Sequence, residues 1–134
     1  MIKWIVVMAM CAAPSRASTE TPMEWKGQYG GPAEAGSEIV RDVKSWKSLW
    51  RLLGKNAPPL DLKKFIAVAV FPGERPTGGF TVEFAEPEMK GKDLVVRHRI
   101  KAPGGFATQA FTQPWAVHAF ARPRGNVVVE ESSP

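Results

Sequence analysis

A single uninterrupted apolar run, Phe65 to Phe71, constrains the fold more than any other part of the chain. Lys63 and Lys64 come before it and Pro72 and Gly73 after it, and so short a bounded run is typical of a strand. Apolar residues stand at both odd and even positions, so both faces of this strand must be covered. The run therefore predicts a central strand between two packed layers, which the rest of the chain has to supply.

Short strand-like segments separated by Gly and Pro lie on both sides of that run. Residues 80–84 and 94–101 alternate between apolar and polar side chains, as expected of a strand with one buried face. Residues 89–93 are predicted as a hairpin turn, and 122–125 as the turn of a closing hairpin. The candidate strands are 23–29, 37–43, 65–71, 80–84, 94–101, 106–111, 115–121 and 126–130. Not all of these eight short segments need become strands. Together they predict a mainly β fold, a single antiparallel β-sandwich or open barrel of about six or seven strands with one docked α-helix.

The helix is predicted at residues 43–53, where the periodicity changes. Two pairs of large apolar residues stand four positions apart on one helical face, Trp46 with Trp50 and Leu49 with Leu53. Asp42 is placed to cap the first turn, and Gly54 to end the helix in the left-handed conformation. Aromatic pairs at this spacing usually bury, so we expect both tryptophans to dock the helix on the sheet, with ligand binding as the alternative.

The N-terminal segment has the layout of a secretory signal peptide. Met1 to Lys3 carry positive charge, Trp4 to Ala13 form an apolar run, and Pro14 breaks any helix before a small-residue exit. Cleavage is predicted after Ala17, which makes the protein exported, either periplasmic or secreted. A buried N-terminal strand or helix is the alternative. The run is shorter than the about 20 apolar residues that a membrane span needs.

The one cysteine of the chain, Cys11, lies inside this predicted signal. Met10 is too large for the position before a lipidated cysteine, so lipid attachment is not expected. The processed chain would hold no disulfide, thiol nucleophile or cysteine metal ligand. Loss of Lys3 and Arg16 also lowers the formal charge of +5 by two. So mild an excess of positive charge does not favour a nucleic acid as the partner.

No pattern typical of a catalytic or cofactor site emerges from the remaining residues. His98 and His118 each stand alone in a strand pattern without a nearby ligand set, and we expect both to be satisfied core histidines. No serine occupies a nucleophile elbow, and neither Gly-Gly pair precedes a phosphate-binding helix. A catalytic carboxylate pair would have to come from Glu83 with Glu86, or from Asp61 with either of them. Nothing in their spacing brings these residues together. The sequence therefore predicts no enzyme, no metal and no cofactor.

Three basic residues, Arg97, Arg99 and Lys101, share one face of a predicted strand. Their side chains would project in a row, about 6.6–7 Å apart. A solvated face is the favoured interpretation. The alternatives are a charged edge strand that discourages aggregation and a docking face for an acidic partner.

Several motifs, taken in order, resemble the C-terminal domain of the PrcB family. The most specific is Arg75-Pro76-Thr77-Gly78-Gly79-Phe80, where the family usually has Thr-Gly-Gly followed by Tyr or Phe. The others are Val43-x-x-Trp46-x-x-Leu49-Trp50, Pro59-x-Asp61-Leu62 and Thr112-Gln113-Pro114-Trp115. Leu62 replaces the usual Phe after the aspartate. The resemblance covers roughly residues 23–130.

This resemblance implies a small exported β domain that binds protein and has no known catalytic residues. The family is named for a subunit that stabilises a secreted protease complex. The expected organisation is a signal peptide at 1–17, a polar lead-in at 18–22, one domain at 23–130 and a tail at 131–134. A processed chain of this length suits a single domain with its own core.

The chain is also similar, more distantly, to chagasin-type inhibitors of cysteine proteases, which present three loops from one end of a sandwich. The corresponding segments here are 75–79, 103–105 and 113–115, in the same order. Arg75 stands where those inhibitors have Asn, one Thr is missing, and Gln113 replaces an Arg. The similarity implies that three Gly/Pro loops gather at one end of the fold.

These observations predict an exported, non-catalytic module that stabilises or regulates a protein partner, with an extracytoplasmic protease as the expected partner. A loop-based protease inhibitor is one alternative, and a hydrolase that uses Asp61 and Glu83 is another. Trp115 is expected to pack inward and the 75–79 loop to serve as a turn, with partner contact as the alternative for both. The candidate partner-binding residues are Arg75, Pro76, Thr77, Gly78, Gly79, Gln113, Pro114 and Trp115.

Overall fold

A computed structural model describes residues 23–105 and 109–132 of the chain. The predicted signal peptide, the polar lead-in and the first half of the predicted 106–111 strand lie outside these residues. Within the described part no helix is long and apolar enough to cross a membrane. The elements are β1 Glu24–Gly27, β2 Gly36–Val40, α1 Val43–Leu52, β3 Phe65–Phe71, β4 Thr81–Phe84, β5 Glu88–Lys90, β6 Asp93–Lys101, β7 Trp115–Ala121 and β8 Val127–Glu131.

The first sheet has the strand order β1-β7-β3-β2, with every neighbouring pair antiparallel. In the second sheet β6 is the central strand. β4 and β5 pair with different stretches of the same edge of β6. Phe84 of β4 faces His98, and Met89 of β5 faces Leu94. β8 pairs with the opposite edge, and this pairing is parallel.

β3 is covered on both faces, as its apolar run predicts. Ala67 and Ala69 pack with α1 in one buried cluster. Ile66, Val68 and Val70 pack with the second sheet in another. The molecule is therefore a β-sandwich with a helix as a third layer, which confirms the predicted fold class.

The helix begins at Val43, as the sequence predicts, and ends at Leu52, one residue before the predicted end. The Asp42 carboxylate accepts a hydrogen bond of 2.7 Å from the backbone N–H of Ser45, which satisfies an amide of the first turn. Gly54 has φ 74°, the left-handed conformation expected just after a helix. Trp46, Leu49 and Trp50 are buried against the first sheet, so the predicted docking is confirmed.

Three details of the strand prediction are wrong. β7 and β8 do not form the closing hairpin, because the turn at residues 122–126 carries the chain from one sheet to the other. β8 runs parallel to β6, so the sandwich is not wholly antiparallel. Gln109 to Phe111, the described part of the predicted 106–111 strand, is irregular.

Candidate functional site

The loop after β3 and the segment before β7 are held together by an isolated β-bridge. Arg75 N donates to Thr112 O and Thr112 N donates to Arg75 O, both at 2.8 Å. The Thr112 hydroxyl donates a third bond, of 3.0 Å, to Thr77 O. The two candidate binding segments, 75–79 and 113–115, are thus neighbours in the structure.

Gln28, just after β1, fastens a third segment to these two. Its side-chain Nε2 donates to Phe80 O at 2.8 Å, and its Oε1 accepts from Gly79 N at 3.0 Å. Its backbone carbonyl accepts from Gln113 N at 3.1 Å. Sequence reasoning missed Gln28, because a polar residue after a strand carries no signal of partners so distant in the chain.

The third Gly/Pro loop lies against the first. Gly79 has φ 91°, and a Cβ atom placed on it would meet Pro103 Cβ at 2.7 Å. The backbone at Gly79 therefore packs closely on Pro103, which precedes Gly104 and Gly105 in the third loop. All these segments meet at one end of the sandwich, which we call the loop end: 28–31, 75–80, 103–105 and 111–114.

Trp115 packs inward, as expected. Only 3% of its surface is exposed, and its indole N–H donates to Tyr29 O at 2.8 Å. Its ring meets Trp50 of α1 edge-on, with centroids 5.5 Å apart. This side chain therefore supports the loop end from beneath and is closed to a partner.

The other candidate binding residues differ in exposure. Pro76 and Gly79 are exposed, Arg75, Thr77 and Gln113 are half-buried, and Gly78 and Pro114 are buried. The Arg75 guanidinium lies 5.0 Å from the centre of the Phe80 ring and donates to Pro72 O at 2.9 Å. Gln113 Nε2 donates to Glu74 Oε2 at 3.0 Å. Much of the predicted surface is thus framework for the loop end.

Two aromatic side chains that sequence reasoning did not select stand out at this end. Tyr29 is 59% exposed and Phe111 is 67% exposed. Tyr29 lies between Gln28 and Gly31, which both hydrogen-bond to the backbone of Gln113, and Phe111 precedes the Thr112 bridge. In the sequence, the signal that could have identified these two aromatic residues was their position beside Gly/Pro-rich loops. The loop end therefore presents two exposed rings on a hydrogen-bonded base.

The basic face of β6 is paired with carboxylates. Arg97 binds Glu88 at 2.6 Å and Glu130 at 3.1 Å. Arg99 and Lys101 lie 2.7 and 3.8 Å from Glu83. The hydrogen bond from Arg99 lowers the pKa of the Glu83 carboxyl, and the bond from Arg97 does the same for the pKa of Glu88.

Since β6 is the central strand of its sheet, the edge-guard interpretation of this strip is wrong. The favoured interpretation, a solvated face, matches the exposed ion pairs between neighbouring strands. Docking of an acidic partner there would have to displace the carboxylates already bound to Arg97 and Arg99.

The two histidines lie between the sheets. The His118 ring stacks on Phe120 with centroids 4.3 Å apart, and its Nδ1 lies 2.8 Å from Ala119 O. His98 is buried, and its Nδ1 has no hydrogen-bond partner among the described residues. The expected burial of His98 is therefore observed, but its expected satisfaction is not.

The candidate carboxylates do not converge. Asp61 precedes β3 and accepts a hydrogen bond of 3.0 Å from Lys63 N, whereas Glu83 pairs with Arg99 on the outer face of the second sheet. In residues 23–105 and 109–132, no group of three or more His, Cys, Asp or Glu is arranged to hold a metal ion.

Comparison with protein families bears on the segment from β3 to β7. Residues 66–121 match the PrcB C-terminal family. The predicted resemblance is confirmed over this segment, which includes the Arg75–Phe80 motif of the loop end and the Thr112–Trp115 motif. The helix motif and Pro59–Leu62 lie before the PrcB match, where the resemblance stays a prediction. Neither the curated proteins nor the solved structures gave a match to the chain.

Proposed function

We propose that this protein is an exported, non-catalytic module that stabilises or regulates a protein partner, namely an extracytoplasmic protease, through the loop end. The PrcB C-terminal match supports a place in a protease complex. The observation that carries the proposed surface is the exposure of Tyr29 and Phe111 beside the Thr112 bridge.

The loop end combines two features that favour tight binding of a protein partner, exposed aromatic rings and a rigid backbone. Aromatic side chains dominate the binding energy of protein interfaces, and a rigid base spares the cost of ordering loops on binding. The hydrogen bonds of Gln28 and Thr112 provide that base. The partner would therefore gain most from two pockets or one groove that accept the Tyr29 and Phe111 rings.

Photo-crosslinking in the native cell tests this surface. In one variant a crosslinking amino acid replaces Phe111. In the control it replaces Met89, another exposed apolar residue, which lies far from the loop end. We expect crosslinks to a protease from position 111 and none from 89. Crosslinks from both positions alike, or from 89 alone, would refute the proposed surface.

A matched pair of variants then tests the energetic role of the rings. Tyr29→Ser with Phe111→Ser should abolish co-purification of the crosslinked protease, while Met89→Ser with Val128→Ser should not. All four side chains are exposed, so neither double variant should unfold the domain. Retained co-purification of the first variant would show that the rings do not bind the partner.

Export has its own test. The protein recovered from outside the cytoplasm should begin at Ser18, which N-terminal sequencing measures. A chain that retains Met1 and stays in the cytoplasm would contradict export without affecting the assignment of the loop end.

Inhibition of a protease is the second candidate function. The meeting of the 75–79, 103–105 and 113–115 segments at one end favours it, but the burial of Trp115 removes the tryptophan from the surface. An inhibitor should slow papain-like or subtilisin-like proteases at micromolar concentration. A flat response across such a panel would remove this candidate.

A further inference from the structure

The end of the sandwich opposite the loop end is a separate surface. β3 begins there at Phe65, which faces Ala121 at the end of β7. β2 ends there before α1 begins, and the β5–β6 hairpin turns there. We call this surface the basic end, and it comprises residues 41–44, 60–64, 89–93 and 122–126.

Two arginines bind these segments to one another. Arg122 donates from Nε and Nη2 to Leu62 O at 3.2 and 2.9 Å, and its Nη2 also donates to the carbonyl oxygen of Arg41. Arg41 Nη2 reaches Gly125 O at 3.5 Å, and Gly125 N donates to Lys92 O at 2.7 Å. The basic end is therefore one continuous surface.

Positive charge dominates this surface. Its exposed lysines are Lys44, Lys63, Lys64, Lys90 and Lys92. Its acidic residues, Asp42, Asp61 and Asp93, each accept a backbone N–H bond, at 2.7, 3.0 and 2.8 Å. Over residues 23–105 and 109–132, the ion pairs lie on β1 and on the outer face of the second sheet, so these lysines pair with no described carboxylate.

Two open grooves run across the basic end and share Arg122. One, of about 550 Å³, is lined by Val43, and the other, of about 570 Å³, is lined by Met89. Both side chains are large, apolar and exposed, Val43 by 53% and Met89 by 54%. Each apolar tip thus stands among basic residues.

We propose that the basic end binds the surface of an anionic phospholipid membrane. Lysines attract the headgroup charge, and exposed apolar tips insert at the boundary between headgroups and acyl chains. The loop end then points away from the membrane, toward solvent. This inference stands apart from the proposed protease partner, since it uses none of the loop-end residues.

The way the charges are held favours a membrane over an acidic protein. Specific carboxylate recognition uses the planar donor fork of arginine, but Arg122 gives its Nε and Nη2 to backbone carbonyls and Arg41 gives one long bond to Gly125 O. Arg124 is the one exposed arginine of this surface without a side-chain hydrogen bond to a described residue. The remaining charge is mostly lysine, a point charge on a flexible stem, which suits a fluid surface without fixed geometry.

Vesicle co-sedimentation tests the proposal with the processed protein as it is recovered from the cell. Vesicles of phosphatidylcholine alone measure binding that is independent of charge, and vesicles that also contain phosphatidylglycerol measure the electrostatic part. We expect binding only to the anionic vesicles, and weaker binding at high salt. Lys63→Gln with Lys92→Gln should reduce the partition coefficient about fivefold per lysine.

The matched control is Lys55→Gln with Lys101→Gln, which removes the same charge away from the basic end. It should retain most of the binding, and Met89→Ser should weaken it without changing its salt dependence. An equal loss in both double variants would overturn the proposal, because net charge alone would then explain it. Tighter binding to polyglutamate than to the anionic vesicles would overturn it in favour of an acidic polypeptide.

Discussion

Arg75 and Thr112 exchange two backbone hydrogen bonds of 2.8 Å across the loop end. This bridge lies outside every regular strand, yet it joins the loop after β3 to the segment that leads into β7. The Thr112 side chain is almost fully buried beneath it and bonds to Thr77 O. The exposed rings of Tyr29 and Phe111 therefore stand on backbone whose position is determined by a few buried polar contacts.

Replacement of Thr112 by Val should destabilise the protein. Valine keeps the shape but leaves Thr77 O without its donor, at a cost of about 1–3 kcal/mol. The free energy of unfolding in urea measures this loss. Thr81→Val on β4 is the control and should change it by less than about 0.5 kcal/mol. Equal effects of the two changes would show that the Thr112 hydroxyl bond contributes nothing.

Gly79→Ala should also destabilise the loop end. Gly79 has φ 91°, and the added methyl would press on Pro103, so we expect a loss of about 1–2 kcal/mol or more. At Gly104 a Cβ meets no atom of the described residues within 4 Å and φ is not positive, so Gly104→Ala is the control. Thermal unfolding compares the two, and an unchanged melting temperature for Gly79→Ala would contradict the described packing.

Trp46→Ala should cost about 3–5 kcal/mol of folding free energy. The Trp46 ring is buried, lies 5.6 and 5.5 Å from Trp25 and Trp50, and donates through Nε1 to Pro58 O at 2.8 Å. Leu52→Ala, on the exposed side of the same helix, is the control and should cost less than about 1 kcal/mol. A loss below about 1 kcal/mol for Trp46→Ala would show that the helix does not dock through this ring.

His98 should make stability fall as the pH drops below neutrality. Burial lowers the pKa of its imidazole from the ordinary 6.5, against a smaller opposing effect of Glu131. The unfolded chain then binds a proton at a higher pH than the folded chain, so stability present above about pH 6.5 is lost as the pH falls toward the folded pKa.

Unfolding free energies between about pH 7 and pH 5 measure this loss, and His98→Phe is the comparison variant. The carboxyls of Asp42, Glu83 and Glu88 have lowered pKa values and act at more acidic pH. The other titrating groups are common to both proteins, so their difference isolates His98. Parallel pH profiles for the two proteins would refute the effect.

Local patterns in the sequence predicted the elements whose cause is local. The apolar run of β3 marks burial on both faces, and the Trp46/Trp50 spacing marks the docked face of α1. Asp42 and Gly54 mark the helix ends because capping depends on the residues beside them. These predictions needed no knowledge of the rest of the fold.

The rest depends on partners distant in the chain. Nothing in residues 127–131 distinguishes a parallel neighbour of β6 from an antiparallel neighbour of β7, since alternation is the same in both. The similarity to chagasin-type inhibitors, rather than any periodicity, suggested that residues 75–79 and 113–115 meet. The contribution of Gln28 was missed because its side chain bonds to Gly79 and Phe80, which only the folded chain brings near.

The pairing of β1 with β7, in which Glu24 faces His118, sets the order in which this chain can fold. Almost the whole chain must leave the ribosome before the first strand meets its neighbour, and contacts between such distant residues form slowly. Until β7 arrives, Trp50 of the helix lacks its edge-on contact with the ring of Trp115. If the protein is exported as proposed, such delayed closure would favour threading of the still unfolded chain through a secretion channel.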